Sequence, residues 1–214
     1  MEIALFPLNT VLFPGMRLPL NIFEERYKLM LKQCLEDGLT FGVVLIRSGE
    51  EVGGQAQPFS VGTTARITSV EATDDGRFIV EAVGDSRFRT EKLLHRYPFI
   101  RAEVSLEASV VGDNDESAAA TVRSLFEDFG RAALAMTGQW VRSVAAPEGP
   151  AALADFVGAR LTSDNAVRQR IIEATTVKEQ LEIESEALRH EVAAVQGRLR
   201  SYQAMRWWGL GSIN

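Results

Sequence analysis

The hydrophobic pattern of the chain changes period near Gly112, and that switch constrains the fold more than any single motif. Before it, apolar runs of strand length are separated by turn residues. After it, Ala, Glu, Gln and Leu dominate, and apolar positions recur at helical spacing. Strands gathered in one half and helices in the other favour an α+β chain over a βαβ repeat. The expected organisation is an antiparallel β-rich domain over residues 1–112, built as a small barrel or folded sheet, and an all-helical domain over 113–214 ending in a long helix. A length of 214 residues with 46% hydrophobic content is enough for one or two cores.

Within the first half, Glu2 to Phe6 reads as a strand that Pro7 ends or confines to an edge. Pro14-Gly15 marks a turn, and Pro19 holds Leu18 extended. A helix is expected next, capped by Asn21 with Glu24 completing a capping box, and stopped by Gly38. Phe23, Tyr27, Met30, Leu31 and Cys34 form its apolar face. Further strands are expected at Phe41 to Ile46, Thr63 to Val70, Phe78 to Val83, Ser86 to Leu94 and Ile100 to Leu106. Asp74-Asp75-Gly76 is a hairpin turn, and the glycine-rich stretch from Arg47 to Ser60 is a loop.

Three helices are expected in the second half: Glu116 to Met136, Ala151 to Leu161, and a last one capped by Ser163 or Asp164 and running to about Arg206. In the last, Val167, Ile171, Ala174, Lys178, Leu181, Ser185, Leu188, Val192, Val195, Leu199 and Tyr202 follow alternating spacings of four and three, a heptad seam with two polar interruptions. Such a seam either packs back on the earlier helices or pairs with another copy of the chain. Trp207 and Trp208, close to the end, either fold back on the bundle or anchor a partner.

The chemistry is sparse. A net charge of −6 and a pI near 5.1 argue against a strong phosphate-binding face, so no nucleic-acid partner is expected. No apolar run reaches the roughly 20 residues of a membrane span. Cys34, the lone cysteine, cannot form an internal disulfide and reads as a core filler in a reducing compartment. With no secretory leader pattern either, a cytoplasmic location is expected. P-loop, nucleophile-elbow, H-E-x-x-H and paired-cysteine patterns are absent, so no catalytic, cofactor-binding or metal residue is assigned and no cofactor is expected. His95 and His190 read as solvated side chains, and the adjacent Glu24 and Glu25 point apart on a helix. Arg66, Arg77, Arg87 and Arg89 bring positive charge onto neighbouring strands, with Arg87 and Arg89 on one face by strand periodicity. They form either a solvated sheet face or a patch that receives acidic or backbone groups of a partner.

Four stretches carry a family resemblance: "LFPLNTVLFPGMRLPLNIFEERYKLML", "FGVVLI", "VGTTARITSVEATDDGRFIVEAVGDSRFR" and "YPFIRAEV". In order and spacing they resemble the N-terminal substrate-binding domain of Lon proteases, the LON domain. Pro7, Pro14, Gly15, Pro19, Phe23, Glu24, Arg26 and Tyr27 match the family's entry segment and first helix, and Gly42, Gly62, Gly76, Arg77 and Arg87 match its later signatures. Most of these are assigned to the fold. Arg26 pairs either with a carboxylate such as Glu24 or with a buried carbonyl. The helical half is similar to the helical part that follows in bacterial Lon N-terminal regions, although "RQRIIEATTVKEQLEIESEALRHEV" departs from the family's wording. The resemblance implies a PUA-like barrel of strands around a short helix.

The resemblance also implies a function. Neither the ATPase nor the Ser-Lys peptidase module of full Lon proteases occurs in these 214 residues. The expectation is therefore a stand-alone, non-catalytic protein-binding module. Its clients would be unfolded or tagged polypeptides, and its partner a separate protease or chaperone. Arg66, Arg87, Arg89, Trp207 and Trp208 are the candidate contacts. The alternatives are a structural or regulatory module that self-associates through the long C-terminal helix, and a small hydrolase with an unrecognised site.

Overall fold

The computed structural model describes residues 1–53, 56–112, 115–139 and 143–210, with side chains as far as Ser201. Strands β1 (Glu2–Leu8) and β2 (Arg17–Ile22) precede helix α1 (Glu25–Asp37). Strands β3 (Phe41–Ser48), β4 (Gln57–Ala72), β5 (Phe78–His95) and β6 (Ile100–Glu107) follow. Helices α2 (Asp115–Met136), α3 (Pro150–Gly158), α4 (Asn165–Glu173) and α5 (Val177–Leu210) complete the chain. This is the expected α+β architecture with a long last helix. Two compact units are present: Met1–Ser109 with Asp164–Thr175, and Val110–Ser163 with Thr176–Asn214.

The first unit is a barrel. Its strands run in the order β2-β5-β4-β3-β1-β6, and a further β5–β6 pairing closes the ring. All pairings are antiparallel except β1 with β3. β5 is long enough to serve two neighbours on one edge. Its Phe78 to Val83 portion pairs with β2, and its Arg87 to His95 portion pairs with β6. The two strands expected at Phe78 to Val83 and Ser86 to Leu94 are thus one strand. Asp74-Asp75-Gly76 does make the turn into it, with Gly76 at φ 77° and its N–H donated to the Thr73 carbonyl.

β1 is buried on both faces, which is why it reads as a continuous apolar run rather than an alternation. Ile3 and Leu5 join Val44, Phe88, Ile100, Ala102 and Val104 in one core. Ala4, Phe6 and Leu8 join α1's inner face, Tyr27, Met30, Leu31 and Cys34, in a second. Each Val, Leu, Ile, Phe or Met side chain seated this way contributes about 1.5–3 kcal/mol of burial. Tyr27 stacks on Phe6 with ring centroids 4.1 Å apart, and burial pushes its phenol up to about 12. Cys34 is buried as expected, and burial raises its thiol as well.

Three local expectations are corrected. Asn21 does not cap α1: it lies inside β2, paired with Ile79, and Glu24 is the N-cap residue without a side-chain cap bond. Phe23 is not a core residue, being half exposed between β2 and α1. The last helix is not continuous from Asp164 either. Ala174 is extended at ψ 132°, and α5 starts anew with the Thr176 hydroxyl accepting the Glu179 N–H at 3.2 Å. Thr176-Val177-Lys178-Glu179 is a capping-box pattern, which the heptad spacing overran.

The second unit packs α2, α3 and α5 together. Val177, Leu181, Leu188 and Val195 of α5 are buried, as are Ala119, Val122 and Phe126 of α2 and Leu153, Ala154 and Val157 of α3. Phe126 meets Phe156 edge-on, with centroids 5.5 Å apart.

Two glycines permit backbone to lie directly on backbone in the barrel unit. A Cβ on Gly62 would sit 2.2 Å from the Val43 carbonyl oxygen, and one on Gly84 would sit 2.2 Å from that of Phe13. Neither obstacle is a flexible side chain. Gly62→Ala and Gly84→Ala are each expected to cost about 1–3 kcal/mol in denaturant unfolding, the range of overpacked cores. Gly149→Ala, with nothing within 4 Å, meets no clash and is expected to lose only the capping preference for Gly over Ala at the start of α3.

Candidate functional site

The sequence-predicted residues go to different places. Arg66 is exposed on β4, opposite Val83. Arg87 is only 4% exposed, and its guanidinium donates to the carbonyls of Ile172 (3.2 Å) and Ala174 (2.8 Å) at the end of α4. Arg89 grips Glu107 of β6 through two bonds of 2.6 and 3.3 Å. The backbone acceptors that meet Arg87 are the chain's own. α4 is held on the barrel by further bonds, from Gln169 to the Val61 carbonyl, Asn165 to Asn9 and Arg168 to Val11. Trp207 and Trp208 fall on the α5 backbone, and their side chains lie outside the described residues, as does Gly54 of the glycine-rich loop. His95 and His190 are exposed.

Two open hollows of the barrel unit lie along α1. Tyr27, Met30, Leu31 and Cys34 claim the inner face, yet α1 carries two more leucines, Leu29 and Leu35, that point outward and are about half exposed. On one side of Leu29 is a groove of about 570 Å³ with Leu31, Leu35 and Phe78 in its lining. On the other is a hollow of about 560 Å³ bounded by Arg26, Arg96, Tyr97 and Pro98. Tyr97 stands at its rim with 87% of its surface exposed. Leu29 and Glu25 belong to both.

The charges around these hollows are already engaged. Glu25 pairs with Lys28 at 2.8 Å and Lys32 with Glu36 at 3.8 Å across the groove wall. Arg26 grips Glu24 with bonds of 3.0 and 3.3 Å, donates to the Glu51 carbonyl, and lies 4.3 Å from the Tyr27 ring centroid. Both partners foreseen for Arg26, the carboxylate and the carbonyl, are therefore used. Arg96 donates to the Ala56 carbonyl at 3.1 Å. Between these engaged charges the surface offers Leu29, Leu35, part of Phe78 and the Tyr97 ring. Sequence reasoning missed this surface. Its signal was present in Leu29 and Leu35, two leucines off the helix's buried stripe. Among the described residues, no three His, Cys, Asp or Glu side chains cluster as metal ligands, and no helix is long and apolar enough to cross a membrane.

A closed barrel carrying α1 and α4, together with a separate helical unit, defines the class. The model of the ATP-dependent protease La (LON) substrate-binding domain matches residues 2–190, and the chain belongs to that family. It is 26% identical over 206 residues to Lon protease 2 of Myxococcus xanthus, and 25% identical over 199 residues to the Lon protease of Anaeromyxobacter dehalogenans. In both cases 90% of this chain is covered and 24% of the relative, so the chain spans about a quarter of the length of the curated relatives it matches. The fold is shared with two solved structures. The N-terminal domain of a Mycobacterium avium complex Lon protease superposes with a TM-score of 0.66 at 20% identity, covering 88% of this chain and 98% of that one. A Lon N-terminal domain protein from Xanthomonas campestris gives 0.63 at 23% identity, with 85% and 95% covered.

Arg87→Met keeps the apolar stem of the side chain and removes the donor, stranding two carbonyls at the end of α4. It is expected to destabilise the barrel unit by about 1–3 kcal/mol, the cost of leaving buried polar groups unsatisfied, measured by urea titration. Arg66→Met, on an exposed site, is expected to change stability by less than about 0.5 kcal/mol.

Proposed function

We propose that this chain is a non-catalytic polypeptide-binding module that serves proteolysis, and that it engages unfolded clients through the α1 surface. Family membership supports the general reading. The particular observation that carries the site is the pair of hollows of about 570 and 560 Å³ that share Leu29, with the flanking charges paired inside the surface. An apolar surface whose charges are satisfied suits extended apolar segments, which unfolded chains expose and folded ones bury. The partner that consumes the bound client is a protease or chaperone, and the setting is the cytoplasm.

A second reading, self-association through α5, is favoured by one observation. Past Val195 the described side chains of that helix are exposed or half buried as far as Ser201. Sedimentation of the chain with and without residues 200–214 tests it: a monomer in both cases rules it out.

Binding of a permanently unfolded, fluorescently labelled protein and of its folded counterpart tests the main reading. The unfolded form is expected to bind and the folded form not. The double variant Leu29→Asp with Leu35→Asp changes two exposed positions, so it is expected to leave the melting temperature nearly unchanged while weakening client binding at least tenfold. Equal affinity of the variant and the parent chain would place binding elsewhere. Equal, negligible binding of both client forms would remove the function itself.

A further inference from the structure

The helical unit buries a carboxyl group that is far from the α1 surface in sequence and belongs to the other unit. Glu184 of α5 is 0% exposed, and neither of its carboxyl oxygens has a partner of good hydrogen-bond geometry, the Gly158 amide being the one donor that bears on them. It belongs to a polar row on the side of α5 that meets α3. One turn before it, Gln180 donates to Asp155 of α3 at 3.5 Å. Two turns after it, Glu191 accepts the Thr162 N–H at 2.8 Å and the Ser163 hydroxyl at 2.6 Å, holding the segment that leaves α3. Glu184 is the middle of this row, at the last turn of α3.

The groups around it do not favour a charge. Asp155 of α3 is the ionisable side chain that bears on it, and its effect is to raise the Glu184 carboxyl, adding to the larger effect of burial. The Gly158 amide pulls the other way with the smallest effect of the three. α2 presents Ala119, Val122 and Phe126 on its buried side. Its buried carboxylate, Asp115, accepts the Gly112 N–H at the helix start, and its Arg123 is engaged with the Pro147 and Glu148 carbonyls. On α5 itself, Lys178 pairs with Glu182 at 3.9 Å and Arg189 donates to Ser185. An ionised carboxylate with a single poorly placed backbone donor, beside a second carboxylate, is costly to bury. The neutral acid is the form this site accommodates.

We propose that Glu184 makes the attachment of α3 and its exit segment, Pro150 to Ser163, to α5 a pH-sensitive fastening: closed while Glu184 holds its proton, loosened when the proton leaves. The direction follows from linkage. A carboxyl that keeps its proton in the closed form and has an ordinary value, about 4.3, when exposed binds more protons closed than open. The closed form is therefore fully favoured below that value. It loses ground as pH rises, up to tenfold per pH unit, until Glu184 ionises in the closed form as well.

Hydrogen exchange of the α3 amides, corrected for intrinsic rates and followed from pH 5 to 9 in the full chain, tests the proposal. Protection of α3 is expected to fall with pH in the parent chain, while β5 in the barrel unit gives the reference profile. In Glu184→Gln, a neutral isostere of the protonated acid, α3 protection is expected to be flat. Glu184→Leu, of similar size and without charge, is expected to be flat too. A flat α3 profile in the parent chain overturns the proposal, as does the same slope in the variants. Failure of both variants to fold also overturns it, since a site built for a neutral group accepts at least one of them.

Discussion

The barrel depends on β5 exchanging one neighbour for another. A strand that paired with β2 throughout would leave the sheet open, and one that paired with β6 throughout would leave β2 without a partner. The exchange happens around Gly84, where the N–H is donated to the Met16 carbonyl and the carbonyl accepts from Gly15, at 2.9 and 2.8 Å. The Phe13 to Met16 turn thus lies directly on the β5 backbone, in space a side chain would occupy. Register shifts between Thr63 and Ala65 and between Ile67 and Ser69 on the facing strand absorb the accompanying bend. The Pro14-Gly15 turn of the opening segment is therefore placed by what β5 must do at Gly84.

Arg87 follows from the same constraint. Just past the exchange point, β5 carries an arginine on the face where α4 lies. A buried guanidinium is expensive unless its donors are used, and here they meet the carbonyls left open at a helix C-terminus, the end that favours positive charge. The helix gains a cap and the arginine gains acceptors. That reciprocity explains why a stretch read as part of the helical half, residues 164–175, belongs to the barrel unit.

Much of this was legible in the sequence, and what was not has identifiable causes. The strand-rich first half, the Asp-Gly hairpin turn, the Gly38 stop and the buried Cys34 rest on short-range rules and are found where those rules put them. The break between α4 and α5 was hidden because Ile171 and Ala174 fit the same three–four spacing as Leu181 and Leu188, although the first pair packs in one unit and the second in the other. Phe23 misled because hydrophobicity says nothing of whether a residue falls before or after the first helical turn. The α1 surface was overlooked for a related reason. Periodicity finds the stripe that is buried, and Leu29 and Leu35 matter because they stand outside it.

The pairing of charges along α1 bears on what such a surface can distinguish. Exposed pairs such as Glu25 with Lys28 and Lys32 with Glu36 contribute little to stability, typically below about 1 kcal/mol. Their consequence is the removal of unpaired charge from the rim of an apolar groove. A rim with a net charge would select clients by the sign of their residues. A self-neutralised rim leaves apolar contact as the main source of discrimination, and apolar contact depends on whether a segment is exposed more than on its sequence. Under the proposed function, the α1 surface would therefore read the folding state of a client, and selectivity among unfolded clients would have to come from the Tyr97 side, where an exposed aromatic ring offers more specific geometry.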